Sequence, residues 1–272
     1  MITIDDPQDP RLDDYRHLTD ASARRAIEME GAAHGIFIAE GPVALEQLYA
    51  SGLPIRSVLM TPSRAASMPP PPAGVPLLVA PRPVVAAVAG YDVHRGVLSA
   101  AERPRPSRPD DVVSTAQRVL VLEGVSDNEN VGSLFRNAAA LGIDALLLDP
   151  ACTDPYYRRS IRVSSGWSIR LPHSRVTDTR QALEILSGRG FHTVALTPQV
   201  QADPVDVAAL RGDLDDPVAY VVGAEGPGLG SRSIAACSAA VRIPMCSGVD
   251  SLNVATSLAV VAAFAAAHRG WS

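Results

Sequence analysis

Three polar, glycine-containing segments carry the side chains best suited to chemistry: residues 128–138, 223–230 and 243–254. The first holds Asn130 and Arg136. A guanidinium stays charged and offers five donors in a fixed plane, so Arg136 suits a phosphate or a developing oxyanion. The second places Glu225 inside a glycine run, where a carboxylate can pair with an arginine or an ammonium group. The third runs from Ile243-Pro244-Met245 to Ser251-Leu252-Asn253, just before a long apolar stretch. Polar side chains at such a helix start sit beside exposed backbone donors, an arrangement that holds a small polar ligand.

The elements that must position these loops are legible around them. Apolar runs at 119–122, 145–148, 193–196, 219–222 and 240–243 read as strands, with no polar alternation, as in a sheet covered on both faces. Helical patterns fall between them at 130–141, 179–187 and 231–237, and residues 252–267 close the chain as a buried helix. This predicts a parallel α/β domain, with all three polar loops beyond the carboxyl ends of its strands. On the helix over 130–141, Val131, Leu134, Phe135, Ala138 and Ala139 share one face, Arg136 falls off it, and Gly142 follows as the stop.

With 272 residues, two domains are expected. The Pro/Arg run at 104–111 cannot continue a helix or a central strand and reads as the linker, giving domains over 1–103 and 112–272. The first half predicts a smaller α/β unit, with strands at 35–39, 55–60, 76–79 and 96–100 and a helix at 42–51 that has Pro42 in its first turn.

The net charge of −5 speaks against an indiscriminately basic nucleic-acid binder, although a local basic surface is compatible with it. All 24 basic residues are arginine. Arg158, Arg159 and Arg162 crowd a segment that also holds Tyr156, Tyr157 and Trp167, a mixture suited to phosphates and bases. Arg24, Arg25 and Arg95 are further candidates for RNA contact, although taken alone they read as ordinary surface. Three scattered cysteines without C-x-x-C spacing fit a reducing, cytoplasmic setting. The acidic, proline-containing N-terminus lacks an export signature, and the apolar C-terminal stretch is short of a membrane span. The histidines show no ligand-like spacing, so no metal is expected.

The glycine run at 223–230 has neither the G-x-G-x-x-G order nor a G-K-[ST] ending, which excludes a dinucleotide loop and a P-loop. In spacing and order, residues 130–138, 223–230 and 243–254 together resemble the three motifs of the SpoU/TrmH branch of the SPOUT RNA methyltransferases. Phe37-Ile38-Ala39-Glu40-Gly41 is similar, less specifically, to that family's N-terminal substrate-binding domain.

The resemblance implies a deep trefoil knot in the parallel-sheet domain and S-adenosylmethionine as cofactor. By motif position, Thr197, Gly223, Ile243, Met245 and Leu252 are its expected contacts. The resemblance further implies a homodimer with the active site completed at the interface, and methyl transfer to a ribose 2'-hydroxyl of RNA, more in keeping with ribosomal than with transfer RNA. Arg136 is then the expected catalytic residue, Asn130 orients it or the ribose, and Glu225, Ser251 and Asn253 shape the hydrogen bonds around them. Two alternatives stand beside this: an RNA-binding protein of the same fold without methyltransferase activity, and a base methyltransferase. The presence of Asn130, Arg136, Glu225 and Asn253 weighs against the first, and the arginine and asparagine pair favours ribose over base.

Overall fold

The computed structural model of the chain describes residues 1–20 and 35–269. Arg24 and Arg25 lie outside the described residues. The chain divides into two compact units, one of Met1–Arg105 with Pro155–Arg170, the other of Pro106–Asp154 with Leu171–Ser272.

The first unit contains β1 (Ile2–Thr3), β2 (Ile36–Glu40), α1 (Pro42–Ser51), β3 (Ile55–Met60), α2 (Pro62–Ser67), β4 (Leu77–Val79), α3 (Arg82–Ala89) and β5 (Val97–Glu102). Among the described residues its five strands form a mixed sheet in the order β1-β4-β3-β5-β2, with β5 antiparallel to both of its neighbours. Pro42 opens α1 where its missing N–H costs nothing, and Gly52, at φ 72°, ends it.

The second unit carries α4 (Pro109–Val112), β6 (Arg118–Glu123), α5 (Asn128–Ala140), β7 (Ala145–Leu148), β8 (His173–Arg175), α8 (Thr179–Gly188), β9 (His192–Leu196), β10 (Asp203–Pro204), α9 (Val205–Leu210), β11 (Val218–Gly223), α10 (Ser231–Ala236), β12 (Ala239–Arg242) and α11 (Val254–Arg269). The intervening α6 (Arg158–Val163) and α7 (Trp167–Arg170) belong to the first unit. All seven strands are parallel, in the order β10-β12-β9-β11-β6-β7-β8. The predicted parallel α/β architecture is therefore observed. Two short edge strands, β8 and β10, are added where only three and two residues pair and no apolar run announces them.

The arginine- and tyrosine-rich segment read as part of the second half lies in the first unit. Every residue of β2 is buried, so both faces of that strand need cover. Ile38 faces one cluster, with Leu59, Leu98 and Val85. On the other side Ile161 and Ile169 join Phe37, Ala39, Leu48 and Ala101. Gly166 lets this segment approach α1, because a Cβ there would stand 3.0 Å from the Ala44 Cα. Arg158 completes the seam: its Nη1 donates to Glu40 Oε2 at 2.9 Å and to the Tyr91 hydroxyl, and its guanidinium lies 4.6 Å from the Tyr91 ring centre. Tyr91 in turn donates to Glu40 at 2.9 Å. Burial pushes the Tyr91 phenol up, so it remains a donor at any physiological pH.

The C-terminal α11 is buried less completely than its composition predicts. Leu258, Val261 and Ala265 pack inward, while Phe264 is 45% exposed. Among the described residues, no helix is long and apolar enough to cross a membrane.

Glu40 is nearly inaccessible and depends on Arg158 for its countercharge. Arg158→Ala should therefore lower unfolding free energy by about 3 kcal/mol in urea titration. A change within error would show that the pair is dispensable.

Candidate active site

The three polar loops meet because their strands are neighbours or near neighbours: β6 pairs β11, β11 pairs β9, and β9 pairs β12. At the carboxyl end of β6, Asp127 caps α5, its Oδ1 accepting from Glu129 N at 2.8 Å and Asn130 N at 2.9 Å. The helix thus starts two residues earlier than periodicity predicts, and Asn130 lies buried in its first turn rather than at its tip.

Asn253 ties the loops together. Its Oδ1 accepts from Ala255 N at 2.9 Å and Thr256 N at 3.2 Å, the N-cap bonds of α11. With the oxygen so used, Nδ2 donates twice, to Asn130 Oδ1 at 2.8 Å and to Glu225 Oε1 at 2.7 Å. One side chain from each of the three segments is therefore in a single hydrogen-bonded chain. The cap is Asn253, not Ser251. The partner of Glu225 is an amide rather than the arginine or ammonium that its charge suggests. Asn137 Nδ2 adds a second clamp, donating to Ala255 O at 2.8 Å.

The glycine run folds back on its own strand. Ala224 and Gly228 form an antiparallel bridge, with Gly228 N donating to Ala224 O at 3.0 Å. Gly223 makes this possible, since a Cβ there would stand 2.3 Å from Gly228 C and 2.4 Å from Leu229 N. Glu123, the last residue of β6, holds the far end through Gly230 N at 2.7 Å and the Ser233 hydroxyl. Sequence reading passed over Glu123, whose position at a strand end resembles any solvated carboxylate.

Beside this chain of bonds lies a cavity of about 410 Å³. Thr197, Gly223, Ile243, Met245 and Leu252 all line it, as do Glu225, Ser251 and Asn253. Leu229 adds apolar wall from within the glycine run, and Leu196, Val222 and Val261 add more from elements that the sequence marks as buried strand or helix, because apolar lining and apolar packing look alike in a sequence. Among the described residues, the only backbone–backbone hydrogen bond formed within 243–252 is a turn, Val249 N to Cys246 O at 3.3 Å. Backbone groups along the rim are thus left for a ligand.

Arg136 stands apart. It is exposed on α5, does not line the cavity, and makes no hydrogen bond or ion pair among the described residues. In the first unit, Arg158 is committed to Glu40 and Tyr91, Arg159 and Arg162 are exposed on α6, and Arg95 is exposed with its side chain across Gly41.

A family model described as the SpoU rRNA Methylase family matches residues 117–263, more than half of the chain. The chain belongs to that family. It is an RNA methyltransferase of the SpoU/TrmH type, as the three motifs imply. An uncharacterized tRNA/rRNA methyltransferase from Mycobacterium tuberculosis is 42% identical, covering 94% of this chain and 88% of its own length. A 23S rRNA (guanosine-2'-O-)-methyltransferase from Ralstonia nicotianae is 30% identical over 69% of this chain and 75% of its own. Among solved structures, an AdoMet-bound rRNA methyltransferase from Sinorhizobium meliloti shares the fold with a TM-score of 0.78 at 22% identity, covering 98% of this chain and 97% of its own. An RNA 2'-O ribose methyltransferase aligns with a TM-score of 0.74 at 26% identity, covering 98% and 99%.

Burial pushes the thiol of Cys152 up to about 12 and that of Cys237 up to about 11, whereas Cys246 is exposed beside Met245. Native protein treated with iodoacetamide near about pH 8 should be labelled at Cys246 well before the other two, as peptide mapping would show. Gly223→Ala should cost about 1–3 kcal/mol of stability through its backbone clash, whereas Gly188→Ala, with open space around its Cβ, should be close to neutral. Asn253→Ala should cost about 1–2 kcal/mol and Glu225→Gln, which keeps an acceptor for Asn253, much less. Equal losses in thermal unfolding would mean that the carboxylate charge, not the amide geometry, carries the link.

Proposed function

We propose that this protein transfers the methyl group of S-adenosylmethionine to a ribose 2'-hydroxyl of RNA, and of ribosomal rather than transfer RNA. The observation that carries the reading is the Asn130–Asn253–Glu225 chain at the rim of the cavity. The cavity fits the cofactor. Its volume of about 410 Å³ is within the range of small-molecule sites, its apolar walls suit an adenine, and its rim offers backbone donors and acceptors for the polar remainder. The cofactor supplies a methyl already activated on a sulfonium, so the protein's task is to present an oxygen nucleophile and stabilise its developing charge.

The residues divide that task. Asn253 holds the Asn130 oxygen, which turns the Asn130 amide N–H groups toward other acceptors, and a ribose hydroxyl is one such acceptor. Glu225 keeps Oε2 as an acceptor after Oε1 is engaged by Asn253. A guanidinium is a donor only, so Arg136 orients the substrate and stabilises the alkoxide instead of removing the proton unaided; an RNA phosphate or a carboxylate takes part in that transfer.

A homodimer belongs to the same reading, with the Arg136 of one copy completing the cavity of the other. Two features support it: Arg136 stands outside its own chain's cavity, and an apolar surface including Leu210, 75% exposed, and Phe264 is left on the two helices α9 and α11. The trefoil knot and an RNA-binding role for the N-terminal domain complete the proposal. The preference for ribosomal RNA rests on the 23S rRNA relative and on that additional domain.

Radiolabelled methyl transfer from S-adenosylmethionine to total RNA tests it, with wild type and Arg136→Ala in parallel. Label is expected at a linkage that resists alkaline cleavage, and the variant should lose about 100-fold in rate. Label on a base, or an Arg136→Ala or Arg136→Lys variant of full activity with an unchanged pH–rate profile, would overturn the assignment.

A further inference from the structure

A second cleft, of about 610 Å³, lies wholly within the first unit between α2, the start of α3 and the turn before β5. Among the described residues, the ionisable side chains that line it are Arg64, Arg82 and His94, with no carboxylate. Thr61, Ser63 and Ser67 contribute hydroxyls. The turn is closed by Gly96 N to Val93 O at 2.8 Å and joined to the residue that caps α2 by Thr61 N to Gly96 O at 3.0 Å. Gly96, at φ 64°, permits this approach; a Cβ there would stand 2.7 Å from Thr61 Oγ1 and 3.2 Å from Arg64 Cγ.

Both guanidinium groups are oriented and incompletely used. Arg64 Nε donates to Arg95 O at 3.0 Å, and its two terminal nitrogens have no partner among the described residues. Arg82 is held by Asp92 through Nε at 2.8 Å and Nη2 at 2.5 Å, with Nη1 left over among the described residues. His94 Nδ1 lies 3.3 Å from both Arg82 Nη2 and Asp92 Oδ2. Asp92 thus fixes Arg82 in place from outside the cleft lining. Guanidinium donors held in a fixed direction beside hydroxyls are the arrangement that accepts phosphate oxygens, and a trough of this size exceeds what a single small anion fills.

We propose that this cleft is a binding site for the phosphodiester backbone of the RNA substrate, a positioning contact independent of base sequence, made by Arg64, Arg82 and His94. It rests on the reading of the protein as RNA-modifying. The cleft is formed by side chains of the first unit alone, so it acts on RNA affinity and leaves cofactor binding unchanged.

Two variants test it without harming the fold. Arg64→Gln removes a cation, and Ser63→Glu adds a carboxylate in the first turn of α2, where a negative charge favours the helix. Binding of deproteinised ribosomal RNA is measured across a salt series, with cofactor affinity measured by calorimetry. Each variant should weaken RNA binding on the order of tenfold, Arg64→Gln should flatten the log–log salt slope by about one, and cofactor affinity should hold. Folded variants with wild-type RNA affinity and slope would overturn the site. Wild-type protein that binds no RNA would overturn both this site and the proposed function. RNA binding that falls in these variants, in a wild type that methylates nothing, would uphold the cleft and reject only the reaction.

Discussion

The site depends on how one amide is used. The carbonyl oxygen of Asn253 is occupied by the first free N–H groups of α11, which fixes which way the amide faces and leaves its nitrogen as a double donor. An amide held this way is an acceptor toward its own helix and a donor toward two other loops. The geometry of the rim is thereby coupled to the formation of the C-terminal helix. A serine or aspartate could cap that helix equally well, but neither could also donate two hydrogen bonds.

The parallel sheet makes such a meeting possible. Because all seven strands run the same way, every strand-to-helix loop that matters emerges at one end. Strands β6, β11, β9 and β12 stand side by side in the middle of the sheet, so loops separated by more than a hundred residues in the chain become neighbours. Glycine is required where the 223–230 loop turns back onto its strand, since no side chain fits between Gly223 and the Gly228 backbone. Glu123 then anchors the other end, so the loop bearing Glu225 is fixed at both ends by the two strands that flank it.

Much of this was legible in the sequence because it is local. Uninterrupted apolar runs marked the central strands, and the spacing around Leu134 and Phe135 put Arg136 on the exposed side of its helix, as observed. What was not legible depends on distant partners. Nothing near Arg158 reveals that Glu40, 118 positions away, is its counterion, so an arginine that looks available for RNA is a structural strut. Periodicity likewise cannot tell which sheet an amphipathic segment covers, and residues 155–170 cover the sheet of the other unit. The starts of α5 and α11 differ from the sequence-based ones by two residues for a related reason: Asp127 and Asn253 are both good capping residues among other good ones, and only the backbone geometry selects between them.

The same distinction governs how an acidic chain meets RNA. Counting arginines overstates the positive surface, because several are spent internally. Arg175 donates to the carbonyls of Asp149, Cys152 and Thr153, Arg118 is clamped on Asp216, and Arg211 on Asp203 and Asp213. These hold loops and strand ends in place, and Arg118 and Arg211 add little outward field, since a guanidinium facing a carboxylate is largely cancelled at a distance. Arg136 and Arg64 differ in having terminal donors without protein partners among the described residues, and Arg82, though paired with Asp92, keeps one such donor at Nη1. The net negative charge of the chain repels non-specific polyanion binding, while a few oriented cations reward a substrate whose phosphates match their positions. Net charge therefore sets the background against which RNA shape is selected, and the distribution of unspent donors sets the selection itself.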